Sequence, residues 1–310
     1  MKKIITLAIL SSVLGLGRAS AGEPLPVKAT IPNFLTEKDF ILYYCQEFAP
    51  AYVPLIQSSY SSPNSWVVTV NGQVQKNAFN AQDREQVISE FETIIHETTH
   101  HKNSIYGFLV DPVTYLELTT QERNLTDGFF KSDLIDNVVS LEAQQKIFRY
   151  KTYVSKASSV AANVKGIVGL MDEYSAYQNG CSGALMAYDN ALKEKDTALA
   201  VRFFNQALAT HFAYYEFNIF MGAYVKYAKL YQPRVYNDII GMVTLKKAYT
   251  LNTKQFLAAL QTIESAATRL KKHYSEVKYN LDYYNKTYVD FSKEYMKNFS
   301  TELAALKITQ

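Results

Sequence analysis

The sequence predicts a mainly α-helical protein with one small β-hairpin and a long helical C-terminal part. From about residue 132 onward, apolar residues recur in steps of three and four, which is the period of an amphipathic helix, and residues 134–155 are expected to form one helix. Residues 51–63 are expected to be a loop, and residues 106–127 are expected to be irregular. The clearest strand pattern is confined to residues 66–75, where Asn71-Gly72 separates two β-rich runs. Asn-Gly between such runs marks a two-residue hairpin turn.

The first 21 residues have the pattern of a secretory signal peptide. Lys2 and Lys3 precede an apolar run over residues 4–14, and the small residues 19–21 stand before Gly22 as a cleavage signal. The residue directly after the predicted cleavage site is Gly22 and not Cys, so a lipid anchor is not indicated. An N-terminal membrane anchor is the alternative, but the apolar run is short for one. We therefore expect a secreted or periplasmic protein with no integral membrane span after cleavage.

Charge and cysteine content exclude several classes of partner and site. Without the signal segment, the 32 basic residues become 29, which equals the 29 acidic ones. A near-neutral chain is not expected to bind nucleic acid or an anionic membrane. The two cysteines, Cys45 and Cys181, are too few for a Cys-rich zinc site. Export permits one disulfide between them, and two buried free thiols are the alternative. The oligomeric state stays open.

One motif, His-Glu-x-x-His, carries the predicted chemistry. Positions i and i+4 of a helix share one face, so His96 and His100 can place two imidazoles on one metal ion. Glu97 lies beside them and suits a general base acting on a water molecule. Three of the five histidines fall within residues 96–101, which argues against a chance match. A surface helix with solvated histidines is the alternative.

The motif is expected late on an amphipathic helix of about five turns. Asn80 suits the N-cap, and Asp83 and Glu85 place negative charge in the first turn. The helix is predicted to end around Asn103. The residues predicted to form its buried face share helical spacing and are Val87, Phe91, Ile94, Ile95 and Thr98.

A third metal ligand has to be found outside the motif. Catalytic zinc usually takes three protein ligands and keeps one position open. A third histidine at the next expected spacing is absent, because Asn103 and Tyr106 occupy the Gly and His positions of that longer motif. A carboxylate is therefore expected. The candidates are Glu117, Glu122, Glu173 and Glu216.

Glu173 is favoured among these candidates by its small neighbours. Gly inside a helix costs about 1 kcal/mol relative to Ala, so glycines on one face indicate a close approach of another backbone. A short carboxylate ligand needs such an approach to the motif helix. Ordinary tight helix packing is the alternative, and Gly180 is expected to cap this helix. The small residues in steps of three and four around Glu173 are Ser159, Ala162, Gly166, Gly169, Ala176 and Gly180.

The motif and the segment Asp172-Glu173-Tyr174-Ser175-Ala176-Tyr177 together resemble gluzincin zinc metallopeptidases. The likeness includes the anthrax lethal-factor-like group, in which the ligand Glu is followed by Ala three residues on. It covers only about residues 80–105 and 160–180. The N-E-x-x-S-D segment of thermolysin-like enzymes and a Met-turn are absent. The resemblance implies a zincin-like core, in which a small sheet precedes the motif helix and its edge strand pairs with an extended peptide substrate.

The chain is expected to divide after residue 185. Residues 22–185 would form the zincin-like metallopeptidase core, and residues 186–310 a helical bundle packed on it. Within that bundle, residues 197–231 are apolar nearly all round and predict one long buried helix. From residue 256 the apolar steps alternate between four and three, which predicts a long helix or helical hairpin, with Asn280 and Asn285 as candidate breaks.

The resemblance implies one Zn²⁺ ion bound by His96, His100 and Glu173. Glu97 would then act as general base in the hydrolysis of a peptide or protein substrate. Hydrolysis of another amide, such as a cell-wall cross-link, by the same site is a second possibility. A third possibility is a non-catalytic secreted binding or scaffold protein with a structural or vestigial metal site.

Zincins commonly use a Tyr or His to stabilise the oxyanion of the reaction. The candidates for this role are Tyr177, which lies one turn past the predicted ligand, and His211. For His211 the alternative is a buried polar group that serves the core.

Overall fold

The computed structural model of the chain describes residues 37–59, 68–70, 73–75, 84–104, 106–156, 158–271 and 286–308. Over these residues the protein is mainly α-helical, as predicted, with two antiparallel β-hairpins. None of the helices in this part of the chain combines the length and apolarity needed to cross a membrane. The predicted signal peptide and the predicted N-cap Asn80 lie outside the described residues.

The elements are numbered in chain order. The helices are α1 (Glu37–Phe48), α2 (Val53–Ser59), α3 (Arg84–Ser89), α4 (Phe91–Asn103), α5 (Thr120–Thr126), α6 (Leu141–Lys146), α7 (Tyr150–Tyr153), α8 (Ala161–Val164), α9 (Gly166–Lys193), α10 (Thr197–Thr210), α11 (Ala213–Tyr231), α12 (Pro233–Gly241), α13 (Val243–Lys271), α14 (Lys286–Met296) and α15 (Ser300–Ala305). The strands are β1 (Val68–Val70), β2 (Gln73–Gln75), β3 (Gly107–Asp111) and β4 (Thr114–Glu117). Single 3₁₀ turns lie at Pro50–Tyr52, Ser132–Asn137 and Lys297–Phe299.

Helix α9 is the centre of the fold. It has 28 residues, most of them buried, and it packs against α4, α10, α11 and α13. The prediction of one long central helix over residues 197–231 is wrong, because the helix is interrupted at His211 and Phe212. There the ring nitrogen Nδ1 of His211 contacts the carbonyl oxygen of Leu208, which an unbroken helix would pair with the amide of Phe212.

The predicted helix end at Gly180 is also wrong. Helix α9 begins at Gly166, whose φ of 58° favours glycine, and continues through Gly180 to Lys193. At Gly180 a β-carbon would collide with the side chain of Glu92 on α4. Gly180 therefore permits close packing of α9 on α4. The expected domain boundary after residue 185 lies inside this continuous helix.

The predicted single helix over residues 134–155 is a series of short pieces. Its residues form one 3₁₀ turn, α6 and α7. Side chains bond the local backbone between them: Ser140 Oγ accepts the amide of Ala143, and Gln144 Nε2 donates to the carbonyl of Val139 at 2.9 Å. Such local bonds compete with a continuous helix. Residues 51–63 were expected to be a loop, and α2 occupies the first part of them.

The predicted hairpin at residues 66–75 is present, and a second one was missed. Strands β1 and β2 are antiparallel with Val70 opposite Gln73, which leaves the two predicted turn residues between them. Strands β3 and β4 lie in a stretch that was expected to be irregular. Asp111 Oδ1 accepts the amides of Val113 and Thr114 and closes their turn. Strand β3 packs against α4 and α9, so this hairpin supports the motif helix.

The motif helix was predicted from about residue 80 to Asn103. Its described part consists of α3 and α4, with a turn at Glu90 between them, and α4 ends at Asn103 as predicted. Ser104 ends it in the left-handed conformation with φ 40°. All five residues predicted for the buried face are buried. Cys45 and Cys181 are buried free thiols, so the alternative of a disulfide does not hold.

The C-terminal heptad pattern is helical wherever the structure describes it. Helix α13 buries its apolar repeat, including Phe256, Leu260 and Ile263, and packs against α9. Helices α14 and α15 pack against α11. The residues that would join α13 to α14, with the predicted breaks at Asn280 and Asn285, lie outside the described part.

Candidate metal centre

The candidate site lies where α4 and α9 cross. Helix α4 carries His96 and His100 on one face, and α9 carries Glu173 opposite them. Gly180 and Gly183 are the contact points of α9 on α4, since β-carbons there would collide with Glu92 and Ile95. These glycines bring the two backbones close, as a carboxylate ligand on α9 requires.

Three donor atoms converge at this crossing. The Nε2 atoms of His96 and His100 are 3.0 Å apart, and Glu173 Oε2 lies 3.7 Å and 3.3 Å from them. Ligand atoms of a tetrahedral zinc site with bonds of about 2.0–2.1 Å are about 3.3 Å apart. The spacing of the three atoms therefore fits one metal ion. His96, His100 and Glu173 form a group that could hold a metal ion.

The burial of Glu173 also fits a cation. Its side chain is only 1% exposed, and Oε2 has no hydrogen-bond partner within the described part of the chain. A buried carboxylate oxygen without a partner is costly unless a positive charge compensates it. A protonated His100, 3.3 Å away, can supply that charge in the metal-free protein, and a metal ion between the carboxylate and the two imidazoles would replace it.

His100 is oriented by a chain of hydrogen bonds. Its Nδ1 lies 3.0 Å from Asp172 Oδ2, and Asn103 Nδ2 donates to the other oxygen of Asp172 at 2.8 Å. Asn103 is in turn fixed by the amide of Leu109 in β3, which donates to its Oδ1 at 2.6 Å. A carboxylate behind a ligand histidine sets its tautomer and ring orientation. Sequence reasoning missed this support, although Asp172 is adjacent to Glu173.

His96 has aromatic neighbours instead. The ring of Tyr177 stands edge-on to it, with 4.4 Å between ring centroids. The hydroxyl of Tyr177 is 2.8 Å from that of Tyr153, and the guanidinium of Arg149 lies 4.6 Å from the Tyr177 ring centroid. Arg149 Nη1 donates to Glu216 Oε2 at 2.6 Å. The predicted Tyr177 is thus at the site, whereas Arg149 and Tyr153 were missed because their segment was predicted as plain helix.

The two histidines have opposite electrostatic environments. Burial lowers the pKa of His96 well below its usual value, and the charges of His100 and Arg149 lower it further. Burial also lowers the pKa of His100, but the charges of Asp172 and Glu173 outweigh it and raise the pKa well above the usual value. Without metal, His100 therefore takes up a proton more readily than His96. Metal binding would displace that proton.

Glu97 has the properties of a general base at this site. Burial raises its pKa to about 7, the charge of His100 opposes the shift, and the charges of Glu173 and Asp172 add to it. Its Oε1 is buried and has no hydrogen-bond partner among the described residues. A base with a pKa near neutral pH can both take and return a proton.

Two of the other carboxylates proposed as third ligand are engaged elsewhere. Glu117 forms an exposed ion pair with Arg123. Glu122 completes a capping box with Thr119 at the start of α5 and accepts the amide of Thr244 at 2.8 Å. Neither belongs to the group of donor atoms that converge at the crossing.

His211 lies at the junction of α10 and α11 and is outside the group that could hold a metal ion. Its Nδ1 contacts the Leu208 carbonyl, and its ring lies 4.0 Å from that of Phe212. Burial lowers its pKa to about 4. These contacts agree with the alternative of a polar group that serves the core.

Comparison with known proteins gives no match: no family model, curated protein or solved structure is similar to this chain. The geometry of the site is therefore the basis for a functional proposal.

Proposed function

We propose that the protein is a zinc metallopeptidase of the gluzincin type. The observation that carries the proposal is the convergence of His96, His100 and Glu173 within 3.0–3.7 Å at the crossing of α4 and α9. Two imidazoles and one carboxylate are a donor set typical of catalytic zinc, which keeps a fourth position open. The lethal-factor-like third-ligand helix and the zincin-like core belong to this proposal.

The residues around the donor set can perform hydrolysis. When bound, zinc supplies Lewis-acid activation of a water molecule and of the scissile carbonyl. Glu97 takes a proton from the attacking water at its carboxylate and passes it to the leaving amine. The hydroxyls of Tyr177 and Tyr153 lie 2.8 Å apart, and the Tyr177 ring contacts that of His96, so these hydroxyls are our candidates for donors to a developing oxyanion.

The proposed substrate is a peptide or protein outside the cytoplasm. Secretion or periplasmic export rests on the signal-peptide pattern of residues 1–21. Pairing of an extended substrate with a hairpin edge stays a prediction. The near-neutral charge of the chain after that segment gives no reason to propose nucleic acid as a partner.

A non-catalytic binding or scaffold protein with a structural metal site is the second candidate. The burial of the donors favours it, because the side chains of His96 and Glu173 are 8% and 1% exposed. A structural site needs no open position and no base. Glu97, which has no structural partner at its Oε1 within the described residues, is the feature that favours the enzyme.

Metal content and casein digestion test the proposal together. We expect about one zinc per chain in the wild type, most of it lost in Glu173→Ala. In Glu97→Gln we expect zinc to be retained and casein digestion to fall by about 10²–10⁴-fold, because only the base is removed. The matched control is Glu117→Gln, which changes an exposed carboxylate outside the site and should keep both zinc and activity.

Two results would decide against the enzyme. A folded wild type that takes up no zinc when zinc is supplied would contradict the metal site itself. A wild type that holds zinc tightly but cuts neither casein nor a peptide library would favour the structural site and the binding or scaffold function.

A further inference from the structure

A buried ion pair connects the C-terminal helix α14 to the candidate metal centre. Arg149 Nη1 donates to Glu216 Oε2 at 2.6 Å, and the side chain of Glu216 is fully buried. The second oxygen of Glu216, Oε1, accepts the hydroxyl of Tyr288 in α14. Both oxygens of the carboxylate are thereby engaged, so its orientation is set from two sides.

Tyr288 also holds the backbone beside Arg149. Its ring stacks on Phe148 with centroids 4.1 Å apart, and its hydroxyl oxygen accepts the amide of Phe148 at 3.2 Å. A second tyrosine of the same helix, Tyr295, accepts the amide of Ser140 at 2.8 Å. Of the two tyrosines, only Tyr288 holds the backbone next to Arg149 and contacts Glu216.

Arg149 in turn contacts Tyr177, which packs against His96, one of the candidate metal ligands. Its guanidinium lies 4.6 Å from the centroid of the Tyr177 ring, and that ring stands 4.4 Å from the ring of His96. The planar guanidinium stacks on an aromatic ring and pairs with a carboxylate at the same time, which an ammonium group does not do. Three successive contacts thus join Glu216 to His96.

We propose that Arg149 is a positioning residue of the metal centre, held by Glu216 and Tyr288, which keeps Tyr177 against His96. The groups behind a metal ligand fix its ring, and their loss lowers metal affinity. A buried ion pair is in itself weak support for stability, so a role at the site accounts better for its presence. The inference rests on the metal binding of the proposed function but not on hydrolysis.

The proposal is tested by two substitutions, each of which leaves the net charge of the protein unchanged. Arg149→Lys retains the cation and removes the planar fork, and Tyr288→Phe retains the ring and removes the hydroxyl. The dissociation constant for Zn²⁺ is measured on the full chain by competition with a chelator, and the absorption spectrum of the Co²⁺-loaded protein reports the ligand geometry. We expect weakening of about 2- to 10-fold in Arg149→Lys, no more than the value of the Tyr177 ring contact that it would loosen. For Tyr288→Phe we expect about 2- to 10-fold, the value of one hydrogen bond.

The control is Tyr295→Phe, which removes a hydroxyl from the same helix that also accepts a backbone amide but does not contact Glu216. Its zinc affinity should equal that of the wild type, because the lost hydrogen bond is to Ser140 and not to Glu216. Equal affinities in all the proteins would overturn the positioning role alone, and so would equal weakening by the two Tyr→Phe changes. If the wild type binds no zinc, the proposed function fails as well. If Arg149→Lys does not fold, the two Tyr→Phe variants decide.

Discussion

The two histidines of the candidate metal centre are held by different regions of the molecule. His100 faces a polar region, in which Asp172 lies 3.0 Å from its ring nitrogen. His96 faces an aromatic region, in which Tyr177 stands edge-on and Arg149 lies behind it. The charges of Asp172 and Glu173 raise the pKa of His100, whereas burial and the charges of His100 and Arg149 lower that of His96.

The difference shows how local and distant parts of the chain share one site. The polar region is made by α4, α9 and β3, which pack directly on one another. The aromatic region depends on Arg149, Glu216 and Tyr288, which come from three separate stretches of the chain. Hydrogen bonds between adjacent elements fix the polar region, whereas those of the aromatic region depend on the docking of α14.

The largest expected effect is a difference in zinc affinity between a variant of the polar region and a variant of the aromatic region. Asp172→Ala removes the acceptor behind His100 and should weaken zinc binding by about 10- to 100-fold. Tyr177→Leu removes only a ring contact with His96 and should weaken it by about 2- to 10-fold. Competition with a chelator measures the dissociation constant for zinc of each variant, and the ratio of the two constants compares the two regions. Equal losses would show that the two histidines are held equally firmly.

The next largest effect, a loss of stability, is expected at the crossing of α9 and α4, where the two regions meet. Gly180→Ala places a methyl group against the carboxylate of Glu92, whose backbone oxygen is also only 3.1 Å from the new atom. Overpacking of this kind costs about 1–3 kcal/mol, which exceeds the helix-propensity gain of about 1 kcal/mol. Urea unfolding should show a net loss of stability.

Gly241→Ala is the matched control for this change. Apart from the adjoining backbone of its own helix, no atom of the described residues lies within 4 Å of the added β-carbon at that position. The substitution should be neutral or stabilising by up to about 1 kcal/mol. A Gly180→Ala protein as stable as this control would mean that α9 and α4 do not pack as closely as described.

The smallest effect concerns Glu92, one turn before His96 on α4. Burial raises the pKa of its carboxyl from 4.5 to about 8, the charge of Arg149 opposes the shift, and that of Glu97 adds to it. The folded protein holds the proton of Glu92 more tightly than the unfolded chain does. The protonated carboxyl group therefore contributes its full stability below about pH 4.5, and this contribution is lost as pH rises toward 8. Glu92→Gln should remove that loss.

The test compares melting temperatures of the two metal-free proteins between pH 5 and pH 8. The melting temperature of Glu92→Gln should rise relative to that of the wild type by a few degrees across this interval. Parallel curves would show that Glu92 ionises as readily in the folded protein as in the unfolded chain.

The parts of the site that sequence reasoning found are those with a local signature. His96 and His100 share a face through their i, i+4 spacing. Of the predicted stripe of small residues, Gly180 does face α4, whereas Gly166 faces Tyr224 and Gly169 faces α8. Gly180 thus belongs to the contact between α9 and α4, although it was predicted to end the helix. The buried face of the motif helix follows from apolar periodicity alone, and all of it is buried.

The parts that were missed depend on contacts between distant residues or on local bonds that hide a pattern. Nothing in the spacing of residues 149, 216 and 288 indicates that they meet. Periodicity over residues 134–155 predicted one helix, but Ser140 and Gln144 bond to the nearby backbone and interrupt it. The second hairpin was missed because its strands are short and Pro112 stands in the turn that Asp111 closes.

X-ray absorption at the zinc edge of the zinc-loaded full chain tests the central claim most directly. If His96, His100 and Glu173 bind the ion, the spectrum will show only nitrogen and oxygen neighbours at about 2.0–2.1 Å, with the outer-atom signal of two imidazoles. A sulfur neighbour at about 2.3 Å, or the absence of imidazole, would contradict the proposed metal centre.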